Sequence, residues 1–229
     1  MTPAQTLASL IPVAYLIGSI PFGLIVGLAK GVDVRKAGSG NIGASNVGRL
    51  LGKRFFFLVF LLDLLKGLLP MLAAATIAQR GTANGGGAAT YELVLLVALA
   101  AILGHMFSVF LRFKGGKGVA TSAGVILGLW PYFTLPGAIA IAAFLATVYA
   151  TRYISLGSMV AAGVFPVAYL AIGLARGWDP IGRQLPLLMF ALLMAGMIVY
   201  KHRSNIARLR AGTENRLGAK PQAEPPLAA

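Results

Sequence analysis

The stretch FFFLVFLLDLLKGLLPMLAAATIAQ, residues 55–79, is long and apolar enough to cross a lipid bilayer as one helix. Its two charged residues, Asp63 and Lys66, are three positions apart, so a helix places them on one face, where we expect them to pair inside a bundle. The whole chain of 229 residues is 58% hydrophobic and 11% charged, with a mean hydropathy of +0.81. This composition excludes a soluble domain and predicts an integral membrane protein.

Six further apolar runs accompany this stretch. The seven predicted spans cover residues 5–29, 55–79, 91–112, 119–135, 136–151, 155–175 and 184–200. For the fourth and fifth, the segment from Trp130 to Pro136 fits either a tight outer turn or a kink within one helix. The pattern predicts an all-α bundle of about seven transmembrane helices, with residues 1–217 as a single membrane domain and 218–229 as a disordered tail. We expect the first run to be retained, since residues 1–6 lack the cations of a cleavable signal.

The formal net charge of +14 is distributed very unevenly between the two sides of this predicted bundle. One side has Lys30, Arg35, Lys36, Arg49, Lys53, Arg54, Arg112, Lys114, Lys117, Arg152, Lys201, Arg203, Arg208, Arg210, Arg216 and Lys220. The other side has Arg80, Arg176 and Arg183. The positive-inside rule therefore predicts an outer N-terminus and a cytoplasmic C-terminus. These cations face lipid headgroups, so we expect the bilayer, not nucleic acid, as the partner.

The segment GSGNIGASNVGR, residues 38–49, is the first of three polar, glycine-rich interruptions on the cationic side. It contains a G-x-G-x-x-G match, but no strand precedes it, so we exclude a dinucleotide fold. Its backbone N–H groups and polar side chains could wrap a phosphate or an oxyanion. These side chains belong to Ser39, Asn41, Ser45, Asn46 and Arg49. The alternative is a polar turn between two helices.

The second interruption is FKGGKG, residues 113–118, within GHMFSVFLRFKGGKGVAT, residues 104–121. It is not a Walker A loop, because Lys117 is followed by Gly118 instead of Ser or Thr. Glycines still allow the backbone to approach an anion, the next helix contributes its N-terminal dipole, and Lys114 and Lys117 supply charge. The alternative is a basic turn that only sets membrane orientation.

The third interruption is KHRSNIARLRAGTE, residues 201–214. If the last apolar helix continues through it, Lys201, His202 and Asn205 lie near one another. His105 and His202 are the two histidines of the chain, and both could equally anchor helix ends at the membrane interface. They lack nearby carboxylates, and the chain has no cysteine, so the sequence predicts neither a metal site nor a cysteine nucleophile.

Taken together, the three segments resemble the signature segments of the bacterial acyl-phosphate:glycerol-3-phosphate acyltransferases, the PlsY family, and the resemblance covers residues 5–217. It implies transfer of a fatty acyl group from acyl phosphate to the 1-position of sn-glycerol 3-phosphate. The product would be lysophosphatidate, in the first membrane step of phospholipid synthesis. No cofactor is implied, and the expected location is the bacterial inner membrane with the active site facing the cytoplasm.

The resemblance also implies roles for individual residues. Ser39 and Arg49 would be essential, residues 115–118 would bind glycerol phosphate, and His202 and Asn205 would serve the site. We add Ser155 as a polar contributor from the connection between the fifth and sixth spans.

Two departures from the family pattern concern hydroxyl residues. Ser108 stands where the family usually has Pro, which we expect to loosen the helix end, and Ser45 stands where it usually has Thr. Glu214 is expected to hold the C-terminal segment in place.

The residues fit this chemistry because both substrates carry phosphate and an acyl phosphate is already activated. Such an enzyme has to position its substrates and stabilise the oxyanion more than to create a strong nucleophile. The chain has no His-x-x-x-x-Asp pair, because the residue five positions after His105 is Phe110 and the residue five positions after His202 is Ala207. This leaves His202 or a substrate phosphate as proton acceptor.

Two other functional classes are alternatives for the same segments. One is a transporter or carrier of a phosphorylated anion, although such sites usually lie near the membrane midplane. The other is a structural or assembly protein, which would not explain three separate anion-binding segments.

Overall fold

A computed structural model describes residues 1–83 and 89–218, and its regular structure in these ranges is helical throughout. The helices are α1 Pro3–Ser19, α2 Phe22–Leu28, α3 Ala44–Leu51, α4 Lys53–Ala83, α5 Ala89–Met106, α6 Val119–Gly128, α7 Thr134–Thr151, α8 Ile154–Ala175, α9 Leu185–Lys201 and α10 Arg203–Arg210. A short 3-10 turn, Val109–Leu111, follows α5. Residues 84–88 and the predicted disordered tail beyond Gly218 lie outside the described residues.

Five segments of the described chain are long and apolar enough to cross a membrane. They are Pro3–Leu28, Lys53–Arg80, Glu92–Leu111, Thr134–Thr151 and Ile154–Ala175. α9 and α10 form a sixth only if they are counted as one span bent by 54°. Many large apolar side chains on these helices face outward, as lipid contact requires. The predicted all-α membrane architecture is confirmed.

The predicted fourth span, 119–135, is wrong in its extent. α6 and α7 are separate helices, which confirms the two-helix interpretation, but α6 is ten residues long and ends at Gly128. The Thr134 hydroxyl donates to the carbonyl of Ile126 at 3.1 Å, and Pro131 has no N–H to continue the helix. α6 is shorter than a helix that crosses the bilayer, and the predicted number of seven spans stays a prediction.

The predicted first span, 5–29, is broken in the middle. α1 ends at Ser19 and α2 begins at Phe22, because Pro21 between them cannot donate a helical hydrogen bond. Lys66 of α4 compensates for this break, since its Nζ donates to the carbonyl of Ile20 at 2.8 Å. The same Nζ lies 2.8 Å from Asp63 Oδ1, which confirms the predicted pairing of these two residues.

Glycines set the closest helix contacts of the bundle. α1 packs most extensively against α5, and a Cβ added at Gly18 or Gly104 would overlap backbone atoms of the other helix. Small residues at such crossings let membrane helices approach and gain dispersion energy. At the other end of the bundle, Phe133, Tyr169 and Phe190 form a buried aromatic cluster between α7, α8 and α9. The helix ends that carry the polar segments are therefore held on a packed frame.

Candidate active site

Hydrogen bonds join the second and third polar segments at one end of the bundle. Lys117 Nζ donates to Asn205 Oδ1 at 2.6 Å across 88 residues of sequence. Lys201 Nζ donates to the carbonyl of Met106 at 2.8 Å, and it lies 4.7 Å from the centre of the Phe107 ring. The end of α9 is thus fastened to the end of α5, which places the start of α10 beside the glycine turn at residues 113–118.

Asn46 shapes the first segment from within. Its side chain is 1% exposed, and its Nδ2 donates to the carbonyls of Val34, Ala37 and Asn41 at 2.9 to 3.1 Å. Its Oδ1 accepts from the N–H of Ser39 at 2.8 Å. With both ends of the amide occupied, Asn46 shapes the loop, and the substrate contact expected of it stays a prediction.

The remaining polar side chains of the first segment differ in what they contact. Asn41 Oδ1 accepts from the N–H of Gly43 at 2.8 Å, just before α3 begins. Ser39, Ser45 and Arg49 are half-buried, and no hydrogen bond to their hydroxyl or guanidinium groups forms within the described residues. These three groups are therefore free to bind a ligand.

The glycines of the second segment are required by packing against α5. The N–H of Gly116 donates to the carbonyl of His105 at 3.0 Å, and a Cβ at Gly116 would overlap the His105 ring. A Cβ at Gly115 would overlap the His105 carbonyl, and Gly118 has a φ of +85° with Met106 beneath it. From the sequence, we explain these glycines by the close approach of an anion. In the structure, the space that their side chains would need is occupied by residues of α5.

Lys117 and the start of α6 are the parts of this turn that can meet an anion. Within the described chain, no carbonyl accepts from the N–H of Lys117 or Gly118. Lys117 is half-buried, and burial lowers the pKa of its amine to about 8. Lys114, in contrast, is exposed. The turn therefore presents one desolvated cation next to a helix N-terminus.

The third segment bends away from α9 at its first residues. α9 ends at Lys201 and α10 begins at Arg203, so His202 occupies the bend. His202 is 2% exposed, and its Nδ1 lies 2.7 Å from the carbonyl of Ile198. A carbonyl only accepts, so Nδ1 carries the hydrogen and Nε2 keeps its lone pair. Burial, with a smaller contribution from Lys117, lowers the pKa of His202 to about 4.

Glu214 is the hub of the third segment. Its Oε1 accepts from Asn205 Nδ2 at 2.7 Å and from the Ser155 hydroxyl at 2.8 Å, while its Oε2 accepts from Arg208 Nε at 2.7 Å. These hydrogen bonds overcome the effect of burial and lower the pKa of the carboxyl group. Glu214 therefore holds the C-terminal segment, as predicted, and Ser155 and Asn205 are fixed by it.

Sequence reasoning missed how central this carboxylate is. The structure brings Arg49, Lys117 and Arg208 close enough to Glu214 to interact with it electrostatically. Burial lowers the pKa of Arg49, and the neighbouring Arg208 lowers it further. A signal was available, since Glu214 is one of six acidic residues and follows a run of cations. One carboxylate against three cations gives this cluster a net positive charge that suits a phosphate dianion. We refer to Arg49, Lys117, Arg208 and Glu214 together as the cationic cleft.

Ser108 contradicts a second expectation. Its hydroxyl donates to the carbonyl of Ser19 at 2.6 Å, and the side chain is 1% exposed. The serine thus fastens the end of α5 to the end of α1 instead of loosening it. For metal binding, the described residues contain no cluster of three or more His, Cys, Asp or Glu side chains. The chemistry that this cleft offers is charge neutralisation and hydrogen bonding.

A family model described as glycerol-3-phosphate acyltransferase matches residues 8–212, which include the first two polar segments and the third as far as Gly212. The chain belongs to this family. A glycerol-3-phosphate acyltransferase of Geobacter sulfurreducens is 47% identical over 208 residues, covering 90% of this chain and 95% of the relative. One of Syntrophomonas wolfei is 44% identical over 214 residues, covering 93% and 98%.

Two solved structures share the fold of this glycerol-3-phosphate acyltransferase. Both are crystal structures of PlsY, an integral membrane glycerol 3-phosphate acyltransferase. The glycerol 3-phosphate form has a TM-score of 0.76 at 38% identity, and the lysophosphatidic acid form has 0.74 at 37%. Each comparison covers 93% of this chain and 96% of the other. The chain is therefore a multi-pass membrane acyltransferase of phospholipid synthesis, and the transporter alternative is not favoured.

Proposed function

We propose that this acyltransferase moves a fatty acyl group from acyl phosphate to the 1-hydroxyl of sn-glycerol 3-phosphate, giving lysophosphatidate and inorganic phosphate. The observation that carries the proposal is the cationic cleft, in which Arg49, Lys117 and Arg208 from three separate segments surround one carboxylate. Each substrate brings a phosphate group that such a cleft can neutralise. The solved relatives were crystallised in forms named for glycerol 3-phosphate and lysophosphatidic acid, which agrees with the acceptor and the product.

The proposed division of labour follows from where each group lies. Lys117 and the backbone N–H groups at the start of α6 bind the phosphate of glycerol 3-phosphate. Arg49 and the hydroxyls of Ser39 and Ser45 have no hydrogen-bonded protein partner within the described residues, and they bind the acyl phosphate. Asn205, held between Lys117 and Glu214, fixes the distance between the two phosphate sites.

In the reaction, the hydroxyl oxygen of glycerol 3-phosphate attacks the acyl carbonyl carbon, and a tetrahedral oxyanion forms. The bond from that carbon to the phosphate oxygen then breaks, and inorganic phosphate leaves. The proton of the attacking hydroxyl moves to a substrate phosphate oxygen, whose second pKa is about 6 by analogy with phosphorylated side chains. His202 is the weaker acceptor, because the pKa of its ring is about 4.

His202→Gln tests this proton route. Glutamine keeps hydrogen-bonding groups in the bend but cannot act as a base, so we expect kcat to fall no more than about tenfold, below the 100-fold or greater loss typical of an essential general base. Steady-state kinetics of the purified variant give the value. A folded, substrate-binding variant without turnover would make His202 the general base.

An assay with the detergent-solubilised protein tests the function itself. Acyl phosphate and labelled glycerol 3-phosphate should give labelled lysophosphatidate in step with phosphate release, whereas acyl-coenzyme A at the same concentration should give no product above background. Binding of glycerol 3-phosphate without product would contradict the proposal and favour an anion carrier.

We also propose that the site faces the cytoplasm of a bacterial inner membrane, and the absence of cysteine makes this testable. Phe113 beside the glycine turn and Ile181 between α8 and α9 are both exposed. Phe113→Cys should react with an impermeant thiol reagent only from the cytoplasmic side, and Ile181→Cys only from outside. Reaction of both from the same side would overturn this orientation.

A further inference from the structure

A buried polar cluster lies directly beneath the glycine turn, among apolar helices. It consists of Asp63 and Lys66 on α4 and His105 on α5, and all three side chains are at most 4% exposed. Lys66 Nζ lies 2.8 Å from Asp63 Oδ1, while His105 Nδ1 lies 3.7 Å from the same oxygen and has no hydrogen-bond partner among residues 1–83 and 89–218. None of these side chains belongs to the cleft described above.

His105 contacts the turn in two ways. Its carbonyl accepts the N–H of Gly116 at 3.0 Å, and its ring occupies the space that a Cβ at Gly116 would need. The ring therefore sets how deeply the turn settles on α5. Lys117 follows Gly116 directly, so the position of the turn also fixes where the Lys117 amine meets Asn205.

Asp63 and Lys66 hold the elements on either side of His105. The carbonyl of Asp63 accepts from the Thr121 hydroxyl in the first turn of α6 at 2.9 Å. Lys66 Nζ reaches the carbonyl of Ile20 at the break between α1 and α2. A buried ion pair is seldom a better source of stability than apolar residues of the same volume. The side chains of this pair reach Ile20 through Lys66 and face His105 on α5, while the backbone carbonyl of Asp63 holds α6, and these contacts point to a role in geometry.

We propose that His105, which lies against the Asp63–Lys66 pair, is a positioning residue that sets the glycine turn and thereby the affinity for the phosphate of the acceptor substrate. This inference rests on the proposed function, in which the turn binds glycerol 3-phosphate. Because His105 acts through Gly116 and Lys117, it affects the binding of glycerol 3-phosphate more than the binding of acyl phosphate.

His105→Ala tests the proposal, with Tyr169→Phe as the control. Tyr169 is also fully buried in the bundle, and its hydroxyl lies 2.8 Å from Gln184 Oε1 far from the turn. We expect His105→Ala to raise KM for glycerol 3-phosphate at least tenfold and KM for acyl phosphate less than threefold. Tyr169→Phe should lower Tm and change neither KM. An unchanged KM for glycerol 3-phosphate, or an equal rise in both KM values, would overturn the positioning role.

A double-mutant cycle tests the contact itself. Gly116→Ala forces a methyl group against the His105 ring, so it should lower kcat/KM at least thirtyfold in the wild-type background. In the His105→Ala background the methyl group occupies space that the ring has left, so the further loss should be less than threefold. Equal losses in both backgrounds would show that ring and turn are not coupled.

A binding measurement separates this proposal from the proposed function. In the Phe113→Cys protein, glycerol 3-phosphate should slow thiol labelling next to the turn, without any acyl transfer. Adding His105→Ala should raise the concentration that gives half protection at least tenfold. If glycerol 3-phosphate protects the Phe113→Cys protein from labelling but the protein with His105 intact shows no turnover, the proposed function is wrong. The positioning role would still be supported by the higher half-protection concentration in the His105→Ala variant. An unchanged half-protection concentration would overturn the positioning role.

Discussion

Arg49→Ala is expected to lower kcat/KM by about 100- to 1,000-fold, because its guanidinium binds the phosphate whose leaving oxygen gains negative charge in the transition state. The guanidinium is half-buried and has no hydrogen-bonded protein partner within the described residues. Burial makes each of its hydrogen bonds to a phosphate stronger than the same bond in water. Steady-state kinetics with acyl phosphate and glycerol 3-phosphate measure the loss, and it should exceed the loss in His202→Gln.

The control for this prediction is Arg35→Ala. Arg35 is exposed, precedes the same segment and pairs with Asp33 at 2.8 Å. Its replacement by alanine removes one positive charge, as Arg49→Ala does. We expect less than a twofold change in kcat/KM, because an exposed ion pair contributes little. A loss in Arg49→Ala no larger than in Arg35→Ala would show that Arg49 acts through general charge and not through contact.

Lys117→Met is expected to raise KM for glycerol 3-phosphate about 30-fold, the equivalent of roughly 2 kcal/mol for a hydrogen bond to a charged group. Methionine keeps the apolar stem and removes the amine that joins Asn205 to the cleft. Lys36→Met, at an exposed position in the loop before the first segment, is the control and should leave KM unchanged within twofold. An equal KM in both variants would remove Lys117 from the acceptor site.

The pH dependence follows from the lowered pKa of Lys117. With a pKa of about 8, the amine is mostly charged at pH 7 and mostly neutral at pH 9. Since only the charged form attracts phosphate, KM for glycerol 3-phosphate should rise as the pH increases above 8 and stay flat below it. The rise should disappear in Lys117→Met. A rise that persists in this variant would assign the titration to another group.

The fold was largely accessible from the sequence because lipid imposes a simple rule. Long apolar runs such as residues 55–79 have to be helices that satisfy their own backbone. The failures came where helices end. Pro21 splits the first span and α6 stops after ten residues, since tertiary contacts such as Thr134 with Ile126 decide where a buried helix terminates.

The sequence predicts which segments form the site better than it predicts what each residue of the site does. The sequence predicts that Arg49 and Lys117 meet at one end of the bundle, and the structure places them near enough to interact electrostatically. The sequence does not distinguish an asparagine that binds its own loop, as Asn46 does, from one that binds a substrate. The glycine turn was correctly marked as constrained, but its packing partner, His105, is distant in the chain.

The central claim is that the acyl group passes directly from acyl phosphate to glycerol 3-phosphate in a cleft formed by three segments. Rapid mixing of the enzyme with acyl phosphate alone tests it most directly. Direct transfer predicts no burst of inorganic phosphate and no acylated protein, with phosphate appearing only after glycerol 3-phosphate is added. A burst stoichiometric with the enzyme, together with an acyl group on Ser39, would contradict the account and establish a covalent intermediate.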